Sequence, residues 1–287
     1  MPHSTRYQIA ILQLILVMFK ASPGADNLKI LASQLRINQS LTNLAQRLAN
    51  SALFLDNNYR DLNSEVFAYR FVDNLFGDHV ANDNKMLICD FIVNQTAAGV
   101  PREQLISEVT NALSAIPASD RNWGQAVIQH NINGINKILE YLLADTFTSN
   151  NRSIVKDHMI MQIASGKTFG ETIIWAIDTV ASVDLDNIVW GSASRLFRNR
   201  VEVSKYYSMD MAGTSIDFLT TQEILAAVSD DRETVLSAKA IIDSRLKNSA
   251  TSFTPIDFQL YQTIRKISDS PVSTTHKNSV PAELTVG

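Results

Sequence analysis

Residues 9–19 read IAILQLILVMF, an apolar run broken only by Gln13. A helix that crosses a membrane needs about 20 apolar residues, so this run is too short to span a bilayer. The run resembles the hydrophobic part of a signal peptide, but Lys20 and Pro23 lie where a cleavage site of small residues would follow. We therefore expect the run to be retained and to form the first core helix.

Helical spacing of apolar residues continues beyond this run. Leu41, Leu44 and Leu48 lie on one face of a helix, and residues 105–113 and 235–242 repeat the pattern. Alternation with a period of two is rare, and only ten glycines and seven prolines interrupt the chain. These patterns predict an all-α fold.

Polar residues mark several helix starts. Ser40 and Thr168 each precede an apolar run with helical spacing. Thr220 opens the sequence TTQE, which is typical of a capping box. We expect each of these three residues to cap the N-terminus of a helix.

The spacing between an aromatic residue and the next tight turn recurs along the chain. Nineteen residues separate Phe19 from Asn38 and also Phe147 from Gly166, whereas 23 separate Phe76 from Gly99. The difference is about one helical turn, and we favour true repetition over chance agreement between helical patterns. The sequence predicts repeated three-helix units packed into one elongated helical domain at 1–267, with units at about 7–56, 64–117 and 135–182, closing helices at 190–247, and an extended polar C-terminal tail at 268–287.

The charge content is low for a soluble protein. Charged residues make up 19% of the chain, against about 25% in typical soluble domains. The net charge is −4 and no run is rich in Lys or Arg, which argues against nucleic acid or an anionic membrane as a partner. A weakly charged surface suits a protein whose faces meet neighbours, although compositional drift gives the same figures.

The chain carries no recognisable catalytic or metal-binding motif. Its five histidines share no ligand spacing, and no nucleophile elbow, Walker loop or dinucleotide-binding glycine motif occurs. We expect His79 and His130 at turns or on the surface, and Cys89, in the apolar run MLICDF, in the core. The sequence predicts a protein that is not an enzyme.

Two acidic segments are candidate calcium ligands, and calcium is the one candidate cofactor. Asp184 and Asp186 stand in the sequence DLDN, and residues 229–231 read SDD. Carboxylates in turns supply the hard oxygen ligands that Ca²⁺ prefers. The alternative is that these carboxylates cap helices, and we favour it for residues 229–231.

A basic and aromatic block is the candidate ligand-binding site. Arg195, Arg198 and Arg200 have side chains suited to sugar phosphates or carboxylates. Tyr206 and Tyr207 point about 100° apart if they are helical, so one packs inward while the other meets solvent or a partner. The alternative is a helix at the edge of the core with a solvated basic face.

The same block carries a family resemblance. Residues 197–207 read FRNRVEVSKYY, which resembles the pattern Phe-x-Asn-Lys-Val-x-Val-x-x-Tyr-Tyr of a helical repeat domain of unknown function in secreted proteobacterial proteins of the S-layer and RTX-adhesin types. Residues 228–238, VSDDRETVLSA, resemble the closing helix of that family, and 7–26 with 40–45 its opening repeat. The resemblance covers about 7–243. The chain departs from the pattern near Leu31, where an aromatic pair is usual, and lacks the glycine-aspartate nonapeptides of an RTX module.

This resemblance implies a role outside the cell. It suggests a non-enzymatic protein on the bacterial surface that leaves by type I secretion without a cleaved N-terminal signal peptide, and that assembles with copies of itself into a layer or filament. The alternative that it implies is an attachment module for lipopolysaccharide or another envelope polysaccharide, similar to the N-terminal anchoring regions of some S-layer proteins.

Overall fold

The described part of the chain is all-α, as the sequence predicts. The computed structural model describes residues 3–36, 40–55, 59, 62–214, 216–248 and 264, and these contain thirteen α-helices and no strand. The predicted tail, 268–287, lies outside them. The helices are α1 His3–Phe19, α2 Gly24–Arg36, α3 Leu41–Ala49, α4 Ala52–Leu55, α5 Ser64–Phe76, α6 Asn82–Ala97, α7 Arg102–Ala115, α8 Gly124–Leu143, α9 Ser149–Ala164, α10 Phe169–Ser182, α11 Gly191–Lys205, α12 Phe218–Ala226 and α13 Arg232–Asn248.

The chain divides into two compact units. One contains the described residues up to Leu48 and those from Asn136 onward, and the other contains those from Ala49 to Ile135. The apolar run at 9–19 lies in α1, where every residue from Leu14 to Phe19 is buried, so its prediction as a core helix is confirmed. No single helix among the described residues is long and apolar enough to cross a membrane; α1 and α2 pass that test only when taken together, and the chain bends by 113° between them.

Two of the three predicted helix caps are confirmed. The Thr168 side chain accepts from the backbone N–H of Glu171, whose carboxylate accepts in return from the backbone N–H of Thr168. Ser40 accepts from the backbone N–H of Asn43. The prediction for Thr220 is wrong, because α12 begins two residues earlier and Asp217 is its cap, with a carboxylate that accepts from the Thr220 backbone N–H and hydroxyl.

Several elements recur at an interval of 67 residues. Helices α6 and α9 begin at Asn82 and Ser149, α7 and α10 at Arg102 and Phe169, and α8 and α11 at Gly124 and Gly191. The left-handed residues Gly99 and Gly166 follow the same interval. This is the spacing that a repeated unit would give, and repetition of three-helix units stays a prediction.

The core of the unit from Ala49 to Ile135 is aromatic. Phe67 and Phe71 stack on α5 with ring centroids 6.0 Å apart, and the edge of Tyr59 meets both rings. Trp123 is buried against Phe76, with ring centroids 5.4 Å apart. These rings hold α5 against the rest of the unit through contacts of low conformational freedom.

In the other unit, Tyr207 fits against the backbone of a short loop. Tyr207 is buried, and its hydroxyl donates to the carbonyl of Ile216 and accepts from the N–H of the same residue. Its ring lies so close to Gly213 that a Cβ there would stand 2.0 Å from Cε2 of the ring. Only glycine leaves room for the ring at that position.

We therefore expect Gly213→Ala to destabilise the protein by overpacking. The free energy of unfolding should fall by about 1–3 kcal/mol, the usual cost of an inserted methyl group in a packed site. Chemical denaturation of the wild type, Gly213→Ala, Tyr207→Ala and the double variant measures this cost. In the Tyr207→Ala background the added methyl group has space, so its cost should vanish; an equal cost in both backgrounds would contradict the packing argument.

His130 differs from its predicted place at a turn or on the surface. It lies in the middle of α8 and is half-buried, and burial lowers the pKa of its imidazole to about 4. The folded protein therefore favours the neutral form of the His130 imidazole. Between pH 6.5 and about 4 the unfolded chain binds a proton that the folded chain does not, so stability falls as the pH falls through this window.

Replacing His130 should remove part of this acid sensitivity. Between pH 7 and pH 4 the wild type should lose about 1–3 kcal/mol more stability than His130→Gln, the range that a shift of this size allows for a half-buried group. Urea unfolding at a series of pH values gives both curves. His79→Gln is the control because His79 is exposed in a turn, and its curve should follow that of the wild type. Parallel curves for the wild type and His130→Gln would contradict the assignment.

Candidate interaction surfaces

The predicted arginine and tyrosine block lies on α11 and on the π-helical turn Tyr206–Asp210 that continues it. Arg195 is half-exposed, donates to the carbonyl of Leu185, and lies 3.6 Å from the carboxylate of Asp230. Arg198 is exposed and donates to the carbonyls of Ala181 and Val183, at 3.0 and 3.1 Å. Both guanidinium groups therefore hold the loop between α10 and α11.

Arg200 is buried, with 3% of its surface exposed. Its Nη1 donates to the carbonyl of Tyr141 at 3.0 Å, and its Nε donates to the carbonyl of Val228 at 3.3 Å. It thus ties α11 to the end of α8 and to the loop before α13. A charge this deeply buried is tolerated because it meets backbone acceptors, and a ligand on the surface would not reach it.

The two tyrosines face in different directions. Tyr207 is buried against Gly213, whereas Tyr206 is half-buried and donates its hydroxyl proton to Asp243 of α13 at 2.7 Å. This bond raises the pKa of the Tyr206 hydroxyl. The ammonium of Lys239 lies 5.1 Å from the centroid of the Tyr206 ring.

The carboxylate of Glu202 completes the polar contact between α11 and α13. It accepts from Arg232 and from Lys239, the latter at 2.7 Å. The hydrogen bond from Arg232, together with the charge of Lys239, lowers the pKa of the Glu202 carboxyl. Of the predicted block, Tyr206 joins this polar contact through Asp243 and Lys239.

The predicted calcium ligands serve a turn. Asp184 accepts from the backbone N–H of Asp186 at 2.9 Å, and Asn187 accepts from the backbone N–H groups of Val189 and Trp190. Within the described residues, no three His, Cys, Asp or Glu side chains come together as a metal site. Calcium binding at Asp184 and Asp186 stays a prediction. The segment SDD is also used locally, since Asp231 accepts from the backbone N–H of Glu233 at the start of α13.

The loop between α10 and α11 presents two apolar side chains to solvent. Ile188 is fully exposed and Val189 is half-exposed, and we call these two residues the tip. Behind the tip, the rings of Trp190 and Phe147 lie 4.4 Å apart between centroids. The signature of this surface in the sequence is a pair of adjacent apolar residues inside a turn rich in Asp and Asn, a signal that a prediction from the acids alone misses.

An open groove of about 450 Å³ runs between α5 and α6, and we call it the α5–α6 groove. Tyr69 and Met86 stand at its rims and are more than half exposed, while Cys89 is buried in its floor. Arg70 lies beside Tyr69, and Lys85 pairs with Asp73 at 3.3 Å. Burial raises the pKa of the Cys89 thiol to about 11, so the floor is a neutral apolar surface at pH 7.

Substitution of the arginines separates a structural role from a binding role. Arg200→Met should lower the free energy of unfolding by about 1–3 kcal/mol, because it leaves buried carbonyls without their donor. Arg198→Met is the matched control, since water replaces its exposed contacts, and it should change stability by less than about 0.5 kcal/mol. Chemical denaturation measures both. Equal losses for the two variants would contradict a structural role confined to Arg200.

Comparison of the chain with protein-family models, with curated proteins and with solved structures finds no match.

Proposed function

We propose that this chain is a non-enzymatic structural protein that assembles with copies of itself into a layer or filament on the exterior of a bacterial cell. The observation that carries the proposal is the exposure of large apolar side chains in pairs. Ile188 and Val189 are adjacent in the tip, and Tyr69 and Met86 both line the α5–α6 groove. Single exposed apolar residues are ordinary on soluble proteins, whereas grouped ones mark interaction surfaces.

Two further features support assembly. On α9, Ile154 and Met161 are exposed and lie seven residues apart, a spacing that places them on one side of the helix. Charged residues make up 19% of the chain, so copies of the protein repel one another weakly. The exterior location rests on the resemblance of residues 197–207 to the secreted family.

Attachment to lipopolysaccharide or another envelope polysaccharide ranks second. Its candidate side chains are the arginines and tyrosines of α11 and the turn after it. Arg200 and Tyr207 are buried, and Arg195 and Arg198 donate to backbone carbonyls. Binding of a polysaccharide would have to displace these contacts.

The proposal predicts association that grows with protein concentration. Light scattering and negative-stain microscopy of the purified protein should show the average mass rising with concentration and ordered sheets or filaments at the upper end. The same measurements with calcium and with a chelator test whether the predicted ligands Asp184 and Asp186 take part in assembly. A mass that stays at that of one chain at every concentration, with and without calcium, would refute self-assembly.

A further inference from the structure

The tip is a rigid projection that the fold does not need. Asn187 holds the backbone N–H groups of Val189 and Trp190, and the backbone N–H of Gly191 donates to the Asn187 carbonyl at 2.8 Å. A Cβ at Gly191 would lie 2.3 Å from the carbonyl oxygen of Leu185, which shows how tightly the loop folds back on the helix. A preformed projection loses little conformational freedom when it binds a partner.

A second loop in the chain has the same construction with a polar tip. Before α8, Asp120 accepts from the backbone N–H groups of Asn122 and Trp123, and a Cβ at Gly124 would lie 2.3 Å from the carbonyl oxygen of Ala118. Here Arg121 and Asn122 occupy the places of Ile188 and Val189, 67 residues earlier. The loop thus forms equally well with polar side chains at its end, so the apolar pair has no role in its folding.

The α5–α6 groove matches the tip in polarity. Its rims and floor offer apolar contact from Tyr69, Met86 and the buried Cys89. A fully exposed isoleucine gains most from burial in such a concave apolar surface.

The two surfaces also match in charge. Asp184 and Asp186 are exposed beside the tip, and Asp186 makes no ion pair among the described residues. Arg70 borders the groove and likewise forms no ion pair in the described part of the chain, while Lys85 is paired with Asp73. Asp186 and Arg70 can therefore pair in a contact between copies, where opposite charges determine which surfaces meet.

We propose that the tip of one copy inserts into the α5–α6 groove of a second copy, with Asp186 facing Arg70. This inference rests on the proposed function and specifies its contact. Each copy carries one tip and one groove, so the contact joins unlike surfaces and leaves a free tip and a free groove at the two ends. Contacts of this kind extend into filaments or close into rings.

Disabling either half of the contact should stop assembly. Ile188→Asp removes the apolar side chain from the end of the tip. Met86→Asp places an acid in the groove where the tip and its neighbouring acids would enter. Each should raise the dissociation constant by roughly 30-fold or more, the effect of a central interface residue. Leu236→Asp, on α13, is the matched control because Leu236 is about as exposed as Met86, and it should assemble like the wild type. Circular dichroism and thermal melting of each variant confirm that it folds.

Mixing the two disabled proteins tests which surfaces meet. The Ile188→Asp protein keeps an intact groove and the Met86→Asp protein keeps an intact tip, so an equal mixture should form dimers and nothing larger. Light scattering on the mixture and on each variant alone measures this. Monomers in the mixture would overturn the pairing of tip with groove, even if both variants fail to assemble alone.

A charge reversal adds a second, independent test. Asp186→Arg and Arg70→Glu should each weaken association by roughly tenfold, and the double variant should recover most of the loss. Assembly of Ile188→Asp at wild-type strength would overturn this inference and leave the proposed function standing. A wild type that stays monomeric would overturn both. Binding of the wild type, but not of Ile188→Asp, to anionic lipid vesicles without self-association would assign the tip to a membrane and refute the contact between copies.

Discussion

The larger unit depends on a buried cluster of hydroxyl groups centred on Ser22. The Ser22 hydroxyl lies 2.7 Å from that of Ser208 and accepts from that of Ser204 at 2.9 Å, and the Ser22 backbone N–H donates to Thr221. Its partners lie more than 180 positions away along the chain. Closing a loop of that length costs entropy, and a satisfied network of buried hydroxyls, once formed, permits one arrangement of the turn after α1.

The position of α11 follows from this closure and determines what its side chains do. The Ser204 and Ser208 side of α11 and its π-helical extension faces the turn after α1, and α1 itself packs along α11. With α11 at the centre of the unit, the polar side chains on its other sides meet the ends of neighbouring helices. Arg200 therefore satisfies a backbone carbonyl at the buried end of α8, which the helix terminus leaves open, whereas Arg198 donates at the surface to carbonyls at the end of α10. The residues that looked most like a binding site are the ones that the packing uses.

The helices can be predicted from the sequence, whereas the hydrogen-bond partners of their side chains largely cannot. Periodic apolar spacing predicts the helices at 41–48, 105–113 and 235–242, and Thr168 is predicted as a cap because the backbone N–H that it accepts from lies only three positions away. The same local pattern misled at Thr220, since the preceding Asp217 is the stronger cap and stands three positions earlier. The role of Arg200 could not be found in this way. Its acceptors are backbone carbonyls of Tyr141 and Val228, and a backbone acceptor has no signature in the sequence.

In the loop before α11, some residues form the turn and others only face water. Its turn is built by Asn187, Trp190 and Gly191, as the loop before α8 is built by Asp120, Trp123 and Gly124. The Asn and Asp residues are constrained because their side chains accept the turn's backbone N–H groups. The glycines are constrained because the turn leaves no room for a Cβ. The two positions at the end of each loop face water and carry Ile188 and Val189 in one loop but Arg121 and Asn122 in the other. Burial can explain neither choice, so folding leaves these two positions free to differ between the loops.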